Sequence, residues 1–157
     1  MDAIKLAIGL IAAFEGYARR LNNGDCCAYP DPATGKAPWT IGYGSTGPDI
    51  KQHTIWSKEK AYERLTEHVQ YFAAALLKLS PKLATASPER FAAVISWVYN
   101  LGLGNYRIST FKKRIDANDW AGAAIECRKW KWAAGRILPG LIRRREAEAL
   151  MMGGAIG

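Results

Sequence analysis

The chain has 157 residues, a length that favours one compact domain with a buried core. Hydrophobic residues make up 49% of the chain and charged residues 23%, a balance that excludes a disordered chain, a collagen-like repeat and a small disulfide-rich scaffold. The net charge of +8, most of it in the C-terminal two thirds, favours an anionic partner: nucleic acid, a membrane surface or an acidic polymer.

The cysteines and the first apolar segment indicate the compartment in which the protein is made. Cys26, Cys27 and Cys127 cannot all pair within one chain, so we expect no closed disulfide framework and a reducing compartment during folding. Whether Cys127 reaches one of the other two stays open. Residues 3–14 are apolar apart from Lys5, but a membrane span needs about 20 residues. We interpret this segment as a helix of the folded domain and not as a signal peptide, which predicts synthesis in the cytoplasm.

In chain order, the sequence predicts a helix, a short β-type region and then a series of helices. The first helix covers residues 2–15, and residues 28–56 are rich in Gly, Pro, Thr and Tyr, with β-type runs at residues 28–29 and 39–43. Five helices follow, the first two with the capping signals Ser57 and Ser87-Pro88, over residues 57–79, 87–100, 108–117, 119–132 and 139–151. The predicted fold class is therefore α+β and mostly α.

The first candidate catalytic residue is Glu15, at the end of the N-terminal helix. Ile4, Ile8, Ile11 and Glu15 fall within about 40° of one another on a helix, so a carboxylate continues an apolar stripe that faces the interior. Burial of a lone carboxylate disfavours its charged form, a property that suits a general acid near neutral pH. The alternative is that Glu15 merely ends the helix before Gly16 and points to solvent.

Two further polar residues lie in the β-type region. Asp31 stands between Pro30 and Pro32, where it is either a candidate catalytic carboxylate or a turn former. Thr40, taken by itself, is typical of a strand residue. The residues alone therefore leave a structural role open for both.

Several segments together resemble one protein family. Phe14-Glu15-Gly16 is followed by Tyr29-Pro30-Asp31 and by Trp39-Thr40-Ile41-Gly42-Tyr43-Gly44. Downstream stand Trp97-Val98-Tyr99-Asn100-Leu101-Gly102, Ser109-Thr110-Phe111 and the run Gly135-Arg136-Ile137-Leu138-Pro139-Gly140-Leu141-Ile142-Arg143-Arg144-Arg145-Glu146-Ala147. This pattern, which extends over roughly residues 4–150, resembles phage-type lysozymes, the glycoside hydrolase family of T-even phage lysozyme and many endolysins.

The resemblance implies a lysozyme-like architecture. We expect an N-terminal helix, a small β-hairpin region and a C-terminal helical bundle, with the active-site cleft between the hairpin region and the bundle. All of residues 1–157 would form a single catalytic domain. Its hairpin lobe would cover about residues 16–56, and its helical lobe would combine about residues 57–157 with the helix over residues 2–15.

The resemblance also implies a role for each candidate residue. Glu15 matches the acid that protonates the glycosidic oxygen, Asp31 the carboxylate that activates water, and Thr40 the hydroxyl that helps to hold this water. Inversion at the anomeric centre is implied, with roughly 6.5–9.5 Å between the carboxyl groups. Four further residues are expected to contact sugar, one of which (Asn100) also suits a helix C-cap: Tyr43, Tyr99, Asn100 and Ser109. Five tryptophans are expected in the core instead: Trp56, Trp97, Trp120, Trp130 and Trp132.

The spacing of the candidate residues departs from the family pattern. The family places its second carboxylate nine residues after the glutamate and its threonine six residues later, whereas here Asp31 follows Glu15 by sixteen residues and Thr40 follows Asp31 by nine. Strict counting would select Asp25, or the cysteine after it as a thiol variant. We favour Asp31 because segment 28–31 followed by segment 39–44 matches the family's order. Residues 22–27 then form an insertion, which we expect to narrow one side of the cleft.

The activity that the resemblance implies is that of an endolysin muramidase, which hydrolyses the β-1,4 bond between N-acetylmuramic acid and N-acetylglucosamine in bacterial peptidoglycan. The alternatives are a lytic transglycosylase on the same bond and a non-enzymatic cationic protein that disrupts wall or membrane. The latter would act through the basic run at residues 143–146, which we interpret instead as general positive charge, so that membrane contact by the C-terminal helix is not expected.

The expected partner is the peptidoglycan glycan strand, with no nucleic acid. No cofactor and no metal are expected, because His53 and His68 lack the spacing of metal ligands. We expect a monomer that is made in the host bacterial cytoplasm without its own signal peptide and acts on the periplasmic cell wall after release.

Overall fold

The computed structural model describes residues 2–32 and 34–153, and this part of the chain is mostly helical. It contains seven α-helices: α1 (Ala3–Glu15), α2 (Lys58–Leu79), α3 (Pro88–Leu101), α4 (Leu103–Ile108), α5 (Thr110–Asp116), α6 (Trp120–Arg128) and α7 (Pro139–Met151). A short 3₁₀ helix, Pro81–Thr85, lies between α2 and α3. Two antiparallel sheets have two strands each: β1 (Cys26–Cys27) with β2 (Ile55–Trp56), and β3 (Trp132–Ala133) with β4 (Arg136–Ile137). The α+β, mostly α fold class is confirmed.

Local side-chain signals fix where the long helices begin. Before α2 the Lys60 N–H donates to Ser57 Oγ over 3.1 Å, and before α3 the Arg90 N–H donates to Ser87 Oγ over 3.2 Å. Each bond satisfies one of the N–H groups that a helix leaves unpaired in its first turn, which stabilises the helix by about 1 kcal/mol. The helices predicted over residues 2–15, 57–79, 87–100 and 139–151 are confirmed to within one residue at each end.

Two predicted helices have the wrong extent. The helix predicted over residues 108–117 is divided at Ser109, whose extended backbone (φ −82°, ψ 149°) separates α4 from α5 and whose hydroxyl accepts from the Lys112 N–H over 3.0 Å. The helix predicted over residues 119–132 ends at Arg128, because the chain then turns into the β3–β4 hairpin. The turn residues of this hairpin, Ala134 and Gly135, both have positive φ (50° and 75°), as a two-residue hairpin turn requires.

The tryptophan predictions are confirmed at three positions and wrong at one. Trp56, Trp97 and Trp120 are buried, whereas Trp132 in β3 is 57% exposed. Trp130 is half-buried, and its ring centroid lies 5.1 Å from that of Trp97. The error at Trp132 follows from the error in helix extent, since the exposed hairpin stands where a helix with a buried face was predicted.

The chain divides into two compact units. The helical unit combines Met1–Leu10 with Val69–Gly157, and the hairpin unit is the continuous segment Ile11–His68. In the helical unit the core surrounds Trp97, whose ring centroid lies 4.8 Å from that of Phe111. Aromatic pairs of this kind stabilise a core by about 0.5–1.5 kcal/mol beyond the burial of their area. The core of the hairpin unit includes Ile11, Cys26, Ile41, Ile50, Trp56, Ala61 and Leu65.

An ion pair in the hairpin unit fastens the loop before β2 to α2. Arg64 forms two hydrogen bonds of 2.8 Å each with the Asp49 carboxylate, and its guanidinium carbon lies 5.3 Å from the ring centroid of Trp56. These bonds hold the pKa of Asp49 at about 2, below its ordinary value. A Cβ atom on Gly47 would lie 2.9 Å from Asp49 Oδ1 and 3.0 Å from Arg64 Nη2, so glycine leaves the room that the pair occupies.

A buried ionic network joins α7 to α3 in the helical unit. The fully buried Glu148 carboxylate accepts hydrogen bonds from Arg145 Nε and Ser96 Oγ, each over 2.6 Å, and Arg144 Nε lies 3.4 Å away. Arg145 Nη1 also donates to Asn100 Oδ1 over 2.8 Å. Arg144 and Arg145 are only 4% and 1% exposed. The interpretation of residues 143–146 as general positive charge is therefore wrong for these two residues.

The cysteines of the described chain are all free thiols. Cys127 is buried beside Glu148, and burial, reinforced by the negative charge of this carboxylate, raises the pKa of its thiol. A thiol of this kind stays protonated and unreactive. Within residues 2–32 and 34–153, no helix has both the length and the apolar character that crossing a bilayer would need.

Candidate active site

Glu15 is the last residue of α1 and lies in the hairpin unit. Ile8 and Ile11, on the same stripe of the helix, are buried, and Glu15 itself is half-buried. Its carboxylate lies against the backbone of Gly44, where an added Cβ atom would be 2.7 Å from Glu15 Oε2 and 3.1 Å from Glu15 Cδ. The predicted stripe is therefore confirmed, and the alternative of a solvent-directed Glu15 does not hold.

A tight turn over residues 41–45 forms the surface that Glu15 contacts. Ile41 and Ser45 exchange two backbone hydrogen bonds of 2.9 Å, and the Gly42 and Gly44 between them have φ of +64° and +80°. The turn is packed on α2, because a Cβ atom on Gly42 would lie 2.8 Å from the Cβ of Ala61. The two glycines thus provide both the left-handed backbone and the space that the turn needs.

Asp31 and Thr40 belong to one short antiparallel segment of the same unit. Tyr29 and Thr40 exchange two backbone hydrogen bonds of 2.9 Å, and the Asp31 N–H donates to the Lys36 carbonyl over 2.9 Å. Directly opposite residues of an antiparallel pair share a face, as do residues two apart on an extended segment. Tyr29, Asp31 and Thr40 therefore lie on one face of this hairpin. The predicted β-type runs form such isolated pairs, and the regular strands lie outside them.

Tyr29 connects this face with Glu15 electrostatically. Partial burial raises the pKa of the Tyr29 phenol, and the negative charge of Glu15 raises it further, whereas Arg19 lowers it. The Arg19 guanidinium carbon lies 5.7 Å from the ring centroid of Tyr29. One anionic and one cationic side chain therefore act on the tyrosine that pairs with Thr40.

The insertion at residues 22–27 forms its own tight turn. Arg20 pairs with Cys26, the Leu21 N–H donates to the Asp25 carbonyl over 2.6 Å, and the Tyr17 hydroxyl donates to the Gly24 carbonyl over 2.9 Å. The Asp25 carboxylate, the alternative to Asp31, accepts a hydrogen bond from Asn23 Nδ2 over 3.1 Å within this turn. The structure thus gives Asp25 a local structural partner, while the choice of Asp31 as catalytic carboxylate stays a prediction.

The four predicted sugar contacts have different surroundings. In the hairpin unit, Tyr43 is 8% exposed and packs on Tyr17, with 5.4 Å between ring centroids. In the helical unit, Tyr99 packs edge-on against Phe72, Asn100 Oδ1 accepts from Arg145, and the buried Ser109 hydroxyl donates to the Tyr106 carbonyl over 2.7 Å. Sugar binding by these four residues stays a prediction.

Two features near the site were not anticipated from the sequence. Arg19 lies over Tyr29, and the fully buried Ser45 hydroxyl has no hydrogen-bond partner in the described part of the chain. Ser45 directly follows Gly44, the glycine that Glu15 contacts. No sequence signal marks Arg19, since its position over Tyr29 depends on the turn of the insertion. Among residues 2–32 and 34–153 no group of three or more His, Cys, Asp or Glu could hold a metal ion.

The protein is of the α+β class. One of its units combines a glutamate at the end of a helix, a turn with two glycines that this glutamate contacts, and a short hairpin with a second carboxylate. The phage lysozyme family matches residues 14–148, and the chain belongs to this family.

Curated relatives from several phages match most of the chain. An endolysin of Bacillus phage B103 is 36% identical over 148 residues, which cover 94% of this chain and 52% of the relative. A SAR-endolysin of Enterobacteria phage P21 is 33% identical over 111 residues, which cover 70% of this chain and 66% of the relative. The chain spans about half the length of the Bacillus phage endolysins that it matches.

Solved structures confirm the lysozyme-like fold. An endolysin from Escherichia coli O157:H7 phage FAHEc1 matches with a TM-score of 0.77 and 30% identity, covering 97% of this chain and 93% of the other. The muramidase domain of SpmX from Asticaccaulis excentricus matches with a TM-score of 0.75 and 25% identity, covering 93% of each chain.

Proposed function

We propose that the protein is a muramidase that hydrolyses the β-1,4 bond between N-acetylmuramic acid and N-acetylglucosamine in bacterial peptidoglycan. The observation that carries the proposal is the contact of the Glu15 carboxylate with Gly44, in the same unit as the hairpin face that holds Asp31 and Thr40. Membership of the phage lysozyme family and the likeness to a muramidase domain support it.

In the proposed mechanism the two carboxyl groups have different roles. Glu15, protonated, donates its proton to the glycosidic oxygen as the bond to the anomeric carbon breaks. Asp31, ionised, removes a proton from a water molecule that attacks the anomeric carbon from the opposite face of the ring, and Thr40 helps to hold this water. Inversion of the anomeric centre follows, because the water enters opposite the leaving oxygen. Glu15 is regenerated when it takes up the proton that Asp31 accepted, by way of solvent.

The test compares four proteins: wild type, Glu15→Gln, Asp31→Asn and Asp25→Asn. Clearing of permeabilised Gram-negative cells gives the rate, and the masses of the released fragments distinguish reducing ends from anhydro ends. We expect Glu15→Gln and Asp31→Asn to lose at least about 100-fold in rate, the lower range for loss of general acid or base catalysis. Asp25→Asn is the matched control, because Asp25 is bound within the turn of the insertion, and it should keep its rate.

Other outcomes identify other functions. Anhydro ends with an active Asp31→Asn variant would indicate a lytic transglycosylase, which needs an acid but no water-activating carboxylate. Clearing by Glu15→Gln at the wild-type rate would contradict the muramidase and favour the non-enzymatic cationic protein. Loss of activity in Asp25→Asn, with Asp31→Asn active, would identify Asp25 and not Asp31 as the second catalytic carboxylate.

Partner and place of action follow from the proposed reaction. The substrate is the glycan strand of the wall, and we propose that a monomer acts on the periplasmic face after release from the cytoplasm. The likeness to endolysins, among them the SAR-endolysin of phage P21, supports action on the host wall.

A further inference from the structure

We propose that Arg19 binds a carboxylate group of the substrate, and that the insertion at residues 22–27 holds Arg19 in position for this task. This proposal rests on the proposed muramidase function and adds to it a residue that selects muramic-acid-containing strands over neutral glycans.

The backbone of Arg19 is fixed in an unusual conformation. Its φ of 55° is left-handed, which is uncommon for any residue other than glycine, asparagine or aspartate. Its carbonyl accepts a hydrogen bond from the Cys27 N–H over 3.2 Å, and the next residue, Arg20, pairs with Cys26. Both partners are at the end of the insertion, so the insertion imposes the conformation of Arg19. Strained conformations of this kind persist where the surrounding structure determines them, and they are frequent at functional sites.

The side chain of Arg19 lies over Tyr29, which belongs to the hairpin face that holds Asp31 and Thr40. Its guanidinium carbon lies 5.7 Å from the ring centroid of Tyr29, and Tyr29 pairs with Thr40 through its backbone. The stacking orients the planar guanidinium without using its N–H donors. Within residues 2–32 and 34–153 the Arg19 side chain is exposed and has neither a hydrogen bond nor an ion pair.

The other two arginines of the hairpin unit do not combine a guanidinium without an ionic partner with a position over the Tyr29–Thr40 pair. Arg64 is bound twice by Asp49, so its charge already has a partner. Arg20 lies over Tyr17, with 5.4 Å from its guanidinium carbon to the ring centroid. Tyr17 is bonded to the insertion through Gly24 and does not belong to the Tyr29–Thr40 pair. Arg20 is therefore the natural control: it has the same charge, the same kind of stacking and the neighbouring position.

A carboxylate is the chemistry that this arrangement fits. A guanidinium with free donors binds a carboxylate through two parallel hydrogen bonds. Peptidoglycan offers carboxylates from two sources, the lactyl group of N-acetylmuramic acid where the peptide is absent and the stem peptide where it is present. Oligosaccharides of N-acetylglucosamine alone offer none.

The experiment measures binding without turnover. In a Glu15→Gln parent, we would compare Arg19→Asn with Arg20→Asn by calorimetry, since asparagine tolerates the left-handed backbone of position 19. The ligands are a neutral N-acetylglucosamine oligosaccharide, peptide-free peptidoglycan glycan oligomers and the same oligomers with their stem peptides. Arg19→Asn should weaken binding of the carboxylate-bearing ligands by about tenfold, a loss typical of one charge-assisted pair, and leave the neutral ligand unchanged. Arg20→Asn should bind all three like the parent.

The pattern of losses identifies the source of the carboxylate and the fate of the proposal. Weakened binding of the peptide-free oligomers alone assigns the lactyl carboxylate, weakened binding of the peptide-bearing oligomers alone assigns the stem peptide, and weakened binding of both shows that Arg19 binds whichever carboxylate is present. Equal effects of the two arginine variants, or a matching loss with the neutral ligand, would overturn the role of Arg19 while leaving the muramidase intact. A Glu15→Gln parent that binds none of the ligands would overturn the proposed function itself. In the same parent, Arg19→Lys, which keeps the charge without the planar fork, should bind the carboxylate-bearing ligands more weakly than the parent and more tightly than Arg19→Asn.

Discussion

The position of the Glu15 carboxylate depends on residue 44 being a glycine, which has no side chain. A Cβ atom there would approach Glu15 Oε2 to 2.7 Å, closer than a carbon and an oxygen can pack. Because the carboxylate is the flexible end of its side chain, it would move aside and the turn would keep its fold. A side chain at residue 44 should therefore change the position of the proposed acid more than it changes the stability of the fold.

We predict that Gly44→Ala lowers the activity strongly and the stability only moderately. The left-handed backbone, with φ of +80°, costs alanine about 1–2 kcal/mol of folding free energy. Displacing the proposed acid should cost about 100-fold in rate, the effect of a misplacement near 1 Å. Wall-clearing rates and urea unfolding would measure the two effects.

Gly135→Ala provides the control for this prediction. Gly135 has φ of +75°, and a Cβ atom on it would meet nothing within 4 Å. This variant should lose the same stability and keep its wall-clearing rate. A Gly44→Ala protein with full activity would show that Glu15 does not depend on the space at residue 44.

At the scale of elements, α7 is anchored by charge as well as by apolar packing. Glu148 lies one turn after Arg144 and Arg145, and all three are at most 4% exposed. A buried ion network adds little net stability compared with an apolar core, since desolvation of the charges offsets their attraction. Removing one partner is different, because it leaves the others charged, buried and unpaired.

Glu148→Ala should therefore destabilise the protein by about 3–5 kcal/mol, the cost of leaving buried charges without a partner. Glu146→Ala is the matched control on the same helix, because its ion pair with Arg128 is partly exposed and contributes at most about 1 kcal/mol. Urea unfolding of both variants measures the difference. A loss below about 1 kcal/mol for Glu148→Ala would mean that the arginines find other partners.

Helices with local start signals could be predicted from the sequence, and the β3–β4 hairpin could not. Ser57, Ser87 and Pro139 mark helix starts through bonds or geometry confined to one turn. The turn of the hairpin is formed by Ala134 and Gly135 and lacks the Asn-Gly or Asp-Gly pair that signals such a turn. Its strands have two residues each, too few for an alternating pattern to appear.

Some features of the candidate site could also be predicted from the sequence, whereas others could not. The apolar stripe that ends in Glu15 is a helical pattern and could be predicted from spacing alone. The contact of Glu15 with Gly44 joins residues far apart in the sequence, and only the resemblance to a family linked them beforehand. Burial of Arg144 and Arg145 was missed because a basic run resembles a solvated surface, although Glu148, one turn further on, was a visible partner for both.

At the scale of the whole molecule, the net charge of +8 favours association with an anionic wall. Two of the cations, Arg144 and Arg145, are buried with Glu148 and do not act at the surface. The remaining surface charge attracts a polyanion over about a Debye length, roughly 10 Å at 0.1 M salt. Attraction of this kind changes the rate of encounter and not the chemical step.

The rate on intact walls should therefore fall several-fold between about 50 and 500 mM NaCl, as screening shortens the range of attraction. The rate on a short neutral oligosaccharide should stay constant over the same range. Turbidity clearing and release of reducing ends would measure the two rates in parallel. A parallel loss on both substrates would indicate that salt acts on the enzyme itself and not on its approach to the wall.

The discontinuous make-up of the helical unit has a consequence for how the chain folds during synthesis. Residues 1–10 are synthesised before the hairpin unit, but they belong with residues 69–157, which are synthesised after it. At a translation rate of about 5–20 residues per second, Ala7 and Ile8 are synthesised on the order of ten seconds before residues 69–157 are complete. Both residues are buried in the folded protein. The hairpin unit is continuous and can form within that interval. The buried face at the start of α1 therefore stays uncovered on the nascent chain until the part of the helical unit that follows the hairpin unit has been made.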